Sequence, residues 1–291
     1  MKNNKKRAFL KWAGGKYTLV EQIRSLLPEG HTLVEPFVGA GSVFLNTDFK
    51  HYLLNDINPD LINLYRILQQ KPDTYIQDAE RYFCAANNNP DAYYALRAEF
   101  NASKDPYLRS LLFLYMNRYG YNGLCRYNLS GIFNVPFGRY KAPYFPKAEL
   151  LFFAEKAQNA TFTCQPFTQI FPMVSAGSVI YCDPPYAPIS QTARFTSYAS
   201  NGFNLEDQRI LADVAADTAV KRKIPVLISN HDTDFTREIY SGANISNLQV
   251  NRFISQKGSG RKKVAELMAL YQPAKKQTNL SPNAPRASAV K

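Results

Sequence analysis

The stretch Val179-Ile180-Tyr181-Cys182-Asp183-Pro184-Pro185-Tyr186 limits the possible folds more than any other part of the chain. Its first four residues are β-branched, aromatic or otherwise apolar without alternation, the pattern of a strand buried on both faces of a parallel sheet. The next four cannot continue that strand, because two successive prolines offer no backbone N–H and fix their own φ angles. The chain must leave the sheet at its carboxyl edge, where open α/β sheets place their ligands. There it presents a carboxylate, carbonyl acceptors and a flat ring. An acceptor pair beside a stacking ring suits a planar group carrying an NH2, such as the exocyclic amine of adenine or cytosine. The same residues also suit a local turn in which the Asp183 side chain closes the strand end before proline. Taken alone, the tetrapeptide fits both.

A second strand and turn lie near the amino terminus. His31-Thr32-Leu33-Val34-Glu35-Pro36 reads as a strand and runs into Phe37-Val38-Gly39-Ala40-Gly41-Ser42, after which the apolar residues 43–45 are expected to open a helix. Two glycines let a backbone approach a ligand closely at a helix amino terminus. The strand 51–54 then leads to Asp56, at the place where nucleotide-binding α/β folds put an acid that accepts ribose hydroxyls. A capping role for Asp56 is superfluous, since Asn58 before Pro59 already caps the next helix. Upstream, Lys11-Trp12-Ala13-Gly14-Gly15-Lys16 precedes a helix expected over 19–26. It resembles a phosphate loop, but the further glycine and the Ser/Thr after lysine are missing, which excludes nucleotide hydrolysis. The residues fit a solvated basic turn, and Trp12, the only tryptophan, favours a ligand-lining one over it.

From Asn58 the pattern becomes helical, with Leu61, Leu64, Tyr65 and Leu68 on one face and further helical segments over 93–100 and 107–116. Residues 106–148 hold no Asp or Glu, six basic residues and a dense set of aromatics, among them Tyr119, Tyr121, Tyr127, Phe133, Phe137 and Tyr140. The centre of this stretch reads as loop and hairpin. An acid-free, basic and aromatic surface is what phosphate contact and base stacking require. Arg126 suits a guanine edge, and Arg139, Lys141 and Lys147 suit phosphates. Later elements are expected as a helix over 149–159, a strand over 160–165, a long polar connection over 187–203 beside the pocket turn, a helix over 205–220, a strand over 224–229 and a short helix over 235–240. Two final strands, 248–254 and 265–271, flank a basic tip at 256–263. Residues 274–291, polar and acid-free, read as a disordered tail. The expected architecture is α/β: a Rossmann-like sheet with an inserted helical and β-hairpin domain.

Charge and composition narrow the partners. The net charge of +12, from 35 basic and 23 acidic residues, favours a polyanion, and nucleic acid is the commonest. The most apolar stretch, 111–116, is too short to span a bilayer, so a soluble cytoplasmic protein is expected. The four cysteines form no CxxC pair and the three histidines are scattered, so neither disulfides nor a metal site is expected. His231 stands at a predicted strand end, as a satisfied turn residue or facing the pocket.

Four motifs together, Lys11-Trp12-Ala13-Gly14-Gly15-Lys16, Glu35-Pro36-Phe37-Val38-Gly39-Ala40-Gly41, Asn117-Arg118-Tyr119-Gly120-Tyr121-Asn122-Gly123 and Asp183-Pro184-Pro185-Tyr186, closely resemble the Dam-type DNA adenine-N6 methyltransferases. Their order resembles the alpha arrangement of amino-methyltransferases. The resemblance implies S-adenosylmethionine as methyl donor, S-adenosylhomocysteine as product, no metal, and GATC in double-stranded DNA as target. It implies cofactor contacts at Trp12, Lys16, Phe37, Gly39, Gly41, Asp56 and Asp183, with Asp183, Pro184 and Tyr186 holding the target amine. Tyr121 and Asn122 match positions that fill the gap left by an extruded adenine; Leu124, Arg126 and Pro136 match base readers, Lys11 a contact to the outer guanine and Arg139 a phosphate clamp. Ser130 stands where close relatives are expected to carry a basic residue. Residues 1–57 and 145–273 are expected to form the catalytic domain and 58–144 the target-recognition domain, in a monomer acting on the nucleoid. A cytosine-N4 or RNA methyltransferase and a non-catalytic DNA-binding regulator are the alternatives.

Overall fold

The apolar runs assemble into one sheet of β1 (Thr32–Glu35), β2 (His51–Asn55), β3 (Ala160–Thr163), β4 (Ser178–Cys182), β5 (Val226–His231), β6 (Asn244–Gln249) and β7 (Ala265–Tyr271). This computed structural model describes residues 5–187, 202–249 and 265–273. The expectations for the connection 188–201, the basic tip 256–263 and the tail 274–291 lie outside the described residues. The strand order is β3-β2-β1-β4-β5-β7-β6. Neighbours from β3 to β5 are parallel, and β7 runs antiparallel between β5 and β6. All five residues of β4 are buried, as an unbroken apolar run requires. The winding reverses between β1 and β4, so the crevice at this switch point opens at the carboxyl ends of those two strands. Glu35 ends one of them and Asp183 follows the other.

Alternate residues of the strands face two helical layers. On one side Leu33, Leu54, Phe162 and Tyr181 meet Ile23 of α1 (Val20–Leu26), Tyr65 of α2 (Pro59–Gln70) and Phe153 of α6 (Lys147–Lys156). On the other, Val34, Ile180, Cys182 and Ile228 meet Ile170 of α7 (Phe167–Met173) and Leu211 and Ala215 of α8 (Leu205–Arg222), with α9 (Asp234–Ile239) following β5. No described helix is long and apolar enough to cross a membrane.

Between β2 and β3 the chain builds α2, α3 (Pro72–Glu80), α4 (Pro90–Ala102), α5 (Pro106–Tyr119) and a hairpin before α6. Asn58 caps α2, its side chain accepting from the Asp60 and Leu61 amides at 3.0 and 3.2 Å, with Pro59 at the first helical position. Leu61, Leu64, Tyr65 and Leu68 are buried on one face, as their spacing predicts. The insertion shares its core with the sheet: Tyr65 packs on Phe153 at 4.6 Å, and Phe153 stacks on Phe162 of β3. Antiparallel bridges Gly120 to Phe137 and Tyr127 to Phe133 form the hairpin. Its base is fixed by Asp60, which accepts from Arg109 Nε at 2.8 Å and from the Tyr127 hydroxyl at 2.6 Å. Tyr119 and Phe133 are buried, so part of the aromatic set supplies core rather than an exposed stacking surface.

Two local expectations are corrected, and one helix is added. Residues 43–45 open no α-helix; only a single 3-10 turn, Phe44–Asn46, forms before the chain turns out at Thr47. The penultimate strand starts at Asn244 rather than at 248, because its register follows β7, pairing Asn244 with Leu270; it is described to Gln249, and the expected residues 250–254 lie outside the described residues. Helix α7 was not foreseen, since Pro172 lies inside it and breaks the helical pattern.

Candidate active site

The crevice between β1 and β4 deepens into a cavity of about 730 Å³, within the ~300–1,000 Å³ typical of small-molecule sites. Trp12, Lys16, Phe37, Gly39, Asp56, Asp183, Pro184 and Tyr186, proposed from sequence, all line it. Gly41 does not: with φ of +72° it turns the chain, and a Cβ there would face Phe44 and Phe153.

One end is apolar. Phe37 packs against Phe167 at 5.4 Å and Phe203 at 5.6 Å. Beside it Asp56 accepts from the amides of Gly39 and Asn58, both at 3.0 Å, which ties the glycine turn to the start of α2. Burial raises the pKa of Asp56, and the hydrogen bonds from Asn58, Gly39 and Ile57 oppose that rise. Gly39 has φ of +47°, and a Cβ on it would come within 2.8 Å of Trp12 Nε1. Gly39→Ala is therefore expected to cost about 1–2 kcal/mol of stability. It should also shift the fluorescence of the sole tryptophan, a signal that reads the same contact.

The other end is polar. Lys16, buried in the crevice, places Nζ 2.7 Å from Asp183 Oδ1, 2.9 Å from the Gly14 carbonyl and 4.4 Å from the centre of the Tyr186 ring. The Ser229 hydroxyl donates to the same Oδ1 at 2.8 Å. Both donors thus converge on one carboxylate oxygen, and no described donor reaches Oδ2. The following turn is braced from β5 and α8. Gln208 donates to the Pro185 carbonyl at 2.7 Å, and the Ala187 amide donates to Asn230 at 3.0 Å. The Pro184 carbonyl, like Asp183 Oδ2, has no donor among the described residues. Tyr186 is held by its hydroxyl, which donates to Glu266 Oε2 at 2.8 Å, and by the His231 ring edge at 4.6 Å. His231 fits both expectations at once, since it lines the cavity while Nδ1 lies 2.9 Å from the Ala187 carbonyl.

Glu35 was not singled out from sequence as a site residue. It is buried, its Oε1 has no hydrogen-bond partner among the described residues, and it lines the cavity. Burial raises its pKa well above the usual carboxylate range; the Phe44 amide opposes this and Asp183 reinforces it. The available signal was an acid at the inner end of an otherwise apolar strand, where charge is rarely tolerated without a purpose. Ser229 and Glu266 carried no such signal, because their position depends on β5 lying beside β4 and β7 beside β5.

The expected DNA readers gather on and near the hairpin. Tyr121 and Asn122 are exposed on a 3-10 turn, with the Tyr121 amide donating to the Pro136 carbonyl at 2.8 Å. Leu124 lines the same cavity as Trp12 and Lys16. Arg126 is exposed and its Nε donates to Asn134 Oδ1 at 2.7 Å; Arg139 is exposed with φ of +54°. Lys11 is half-buried, with Nζ over the Tyr140 ring at 3.9 Å, and desolvation, then the Arg118 charge, lowers its pKa. Lys147, assigned to phosphate from sequence, is already paired with Glu80 at 3.0 Å.

A family model, the D12 class N6 adenine-specific DNA methyltransferases, matches residues 12–254. The chain belongs to that class. DNA adenine methylases of Vibrio cholerae serotype O1 and Escherichia coli (strain K12) are 62% and 60% identical to it over 269 residues. These alignments cover 92% of this chain and 97% and 96% of those proteins. The DNA adenine methylase of Serratia marcescens is 58% identical over 268 residues, 92% of this chain and 99% of that protein. This methyltransferase therefore acts on adenine in DNA, which removes the cytosine, RNA and binding-only alternatives. Its α/β sheet, mostly parallel with an antiparallel last strand, is the Rossmann-like methyltransferase architecture expected from sequence.

Proposed function

We propose that this methyltransferase takes its methyl group from S-adenosylmethionine and delivers it to N6 of an adenine flipped out of double-stranded DNA at GATC, releasing S-adenosylhomocysteine. The observation that carries the reading is the pair of open acceptors, Asp183 Oδ2 and the Pro184 carbonyl, beside the fixed ring of Tyr186. An amine has two hydrogens, and these acceptors suit one each. Holding both hydrogens favours a pyramidal nitrogen with its lone pair free of the ring, and a carboxylate beside it stabilises the positive charge that develops on attack.

The cavity fits the cofactor. The unpartnered Oε1 of Glu35 suits a cationic amino group, Asp56 suits ribose hydroxyls, and Phe37 with Phe167 suits a purine face. Bound S-adenosylmethionine supplies an electrophilic sulfonium methyl. Lys16 and Ser229 hold Asp183 by its other oxygen, and Tyr186 orients the base, so positioning provides much of the acceleration. The GATC assignment rests on the resemblance of Lys11, Tyr121, Asn122, Leu124, Arg126, Pro136 and Arg139 to DNA-reading positions. Under this reading 58–144 is the target-recognition domain, 1–57 with 145–273 the catalytic domain, and the enzyme works as a monomer on chromosomal DNA in the cytoplasm.

The test is transfer of tritium from labelled S-adenosylmethionine to a duplex with one GATC site and to a GTTC control, followed by nucleoside analysis. Label in N6-methyladenine from GATC alone is expected. Equal label from both duplexes would refute the site assignment, and a GATC duplex without label would refute the donor or the duplex substrate.

A further inference from the structure

Between the hairpin and the loop that carries Trp12 and Lys16 lies one buried amide side chain. Asn117, in the last turn of α5, is 2% exposed. Its Oδ1 accepts from the Lys11 amide at 2.8 Å, and its Nδ2 donates to the Lys11 carbonyl at 2.7 Å. The pairing copies what a neighbouring strand would offer the backbone of Lys11. The same Nδ2 also donates to the Gly123 carbonyl at 3.2 Å, which brings the turn of Tyr121 and Asn122 into the contact. Gly123 has φ of +62°, and a Cβ there would lie 2.2 Å from Lys11 Cβ, so the Lys11 side chain packs on the Gly123 backbone where only glycine fits. The seam continues through Lys11 Nζ, which donates to the Arg118 carbonyl at 3.3 Å, and Tyr140, whose hydroxyl accepts from the Asn122 amide at 3.0 Å.

Asn117 does not line the cavity and is shut off from the surface, so it is placed to contact neither cofactor nor DNA. The geometry points to Asn117 as a positioning residue that couples the two ligands, fixing the DNA-reading turn to the cofactor loop so that ordering one loop orders the other. This rests on the reading of Tyr121 to Leu124 as DNA-reading and of Trp12 to Lys16 as cofactor-binding. Coupling of this kind is reciprocal: cofactor must tighten DNA by the factor by which DNA tightens cofactor. The hairpin keeps a separate anchor through Tyr127, Asp60 and Arg109, so removal of the amide leaves its base in place.

The test uses the full chain, a fluorescent GATC duplex and S-adenosylhomocysteine. The affinity of each ligand is measured with and without the other, in the parent protein and in Asn117→Ala. In the parent, each ligand is expected to tighten the other by about tenfold, and in Asn117→Ala that factor should fall to within about twofold of unity. The affinity of S-adenosylhomocysteine for the free variant should stay within about threefold of the parent value, which a merely structural defect would not allow. A coupling factor unchanged in the variant, or absent in the parent, overturns the inference. A parent protein that binds no duplex at all would instead refute the functional reading beneath it. Hydrogen exchange on the parent chain tests the same seam without a variant. S-adenosylhomocysteine alone should slow exchange of the amides of 119–123, and unchanged exchange there counts against the coupling.

Discussion

Asp183→Asn is expected to lower the single-turnover rate of methyl transfer by about 10²–10³-fold while duplex affinity changes little. The reason lies in how the carboxylate is held. Lys16 and Ser229 both engage Oδ1, so the amide of an asparagine settles with its oxygen on those two donors and its NH2 in the place of Oδ2. A donor then faces the target amine where an acceptor is required. Asp183→Ala removes the site altogether and should abolish transfer, at the further cost of leaving the buried Lys16 ammonium without its partner. Thermal midpoints measured on both variants separate loss of chemistry from loss of fold. Turnover within about tenfold of the parent in Asp183→Asn, where the loss of one such contact predicts far less, would sink the assignment of Oδ2.

Glu35→Gln is expected to move stability and cofactor affinity in opposite directions. In the free protein Glu35 is a buried carboxyl whose pKa burial raises. For an acid raised on folding, the folded state prefers the protonated form. The carboxylate therefore destabilises the fold increasingly as pH rises from the unfolded value, near ~4.3, through the folded one. Glutamine has no such cost, so the variant should be more stable than the parent at neutral pH by about 1–2 kcal/mol, and the difference should vanish in acid. Cofactor binding has the other sign. A cationic amino group at Oε1 favours the carboxylate, so parent affinity for S-adenosylhomocysteine should fall as pH drops through the raised pKa of free Glu35. The glutamine variant should bind about 10–100-fold more weakly at neutral pH, the loss of one buried charged contact, with a flat profile over the same interval. Calorimetry across that range decides the matter; equal affinity of the two proteins at neutral pH would remove Glu35 from the cofactor site.

What the sequence disclosed and what it hid follow a physical division. Val179 to Cys182 was legible as a central strand because burial on both faces leaves a run with no polar residue, and Asp183 to Tyr186 because prolines dictate local geometry. Asn58 with Pro59 was legible as a helix start for the same local reason. The turn Phe44–Asn46 was misjudged because three apolar residues look alike in a helix and in a single turn. At the site, residues that belong to a strand end or a glycine turn were found from their own neighbourhoods. Ser229 and Glu266 gain their meaning across strands: Ser229 bonds Asp183 from β5, and Glu266 bonds Tyr186 from β7. Asn117 likewise became informative only once α5 lay against Lys11.

The position of β7 bears on how the enzyme is made. Glu266, which holds Tyr186, arrives on the last described strand, and that strand inserts between two made earlier. On a ribosome, a chain that has reached residue 260 carries the glycine turn, the hairpin and Asp183, yet it leaves the edge of β5 bare and the Tyr186 hydroxyl without Glu266. Synthesis must pass β7 before methylation can begin, and products terminated ahead of it should be inert, sticky fragments rather than unregulated enzymes.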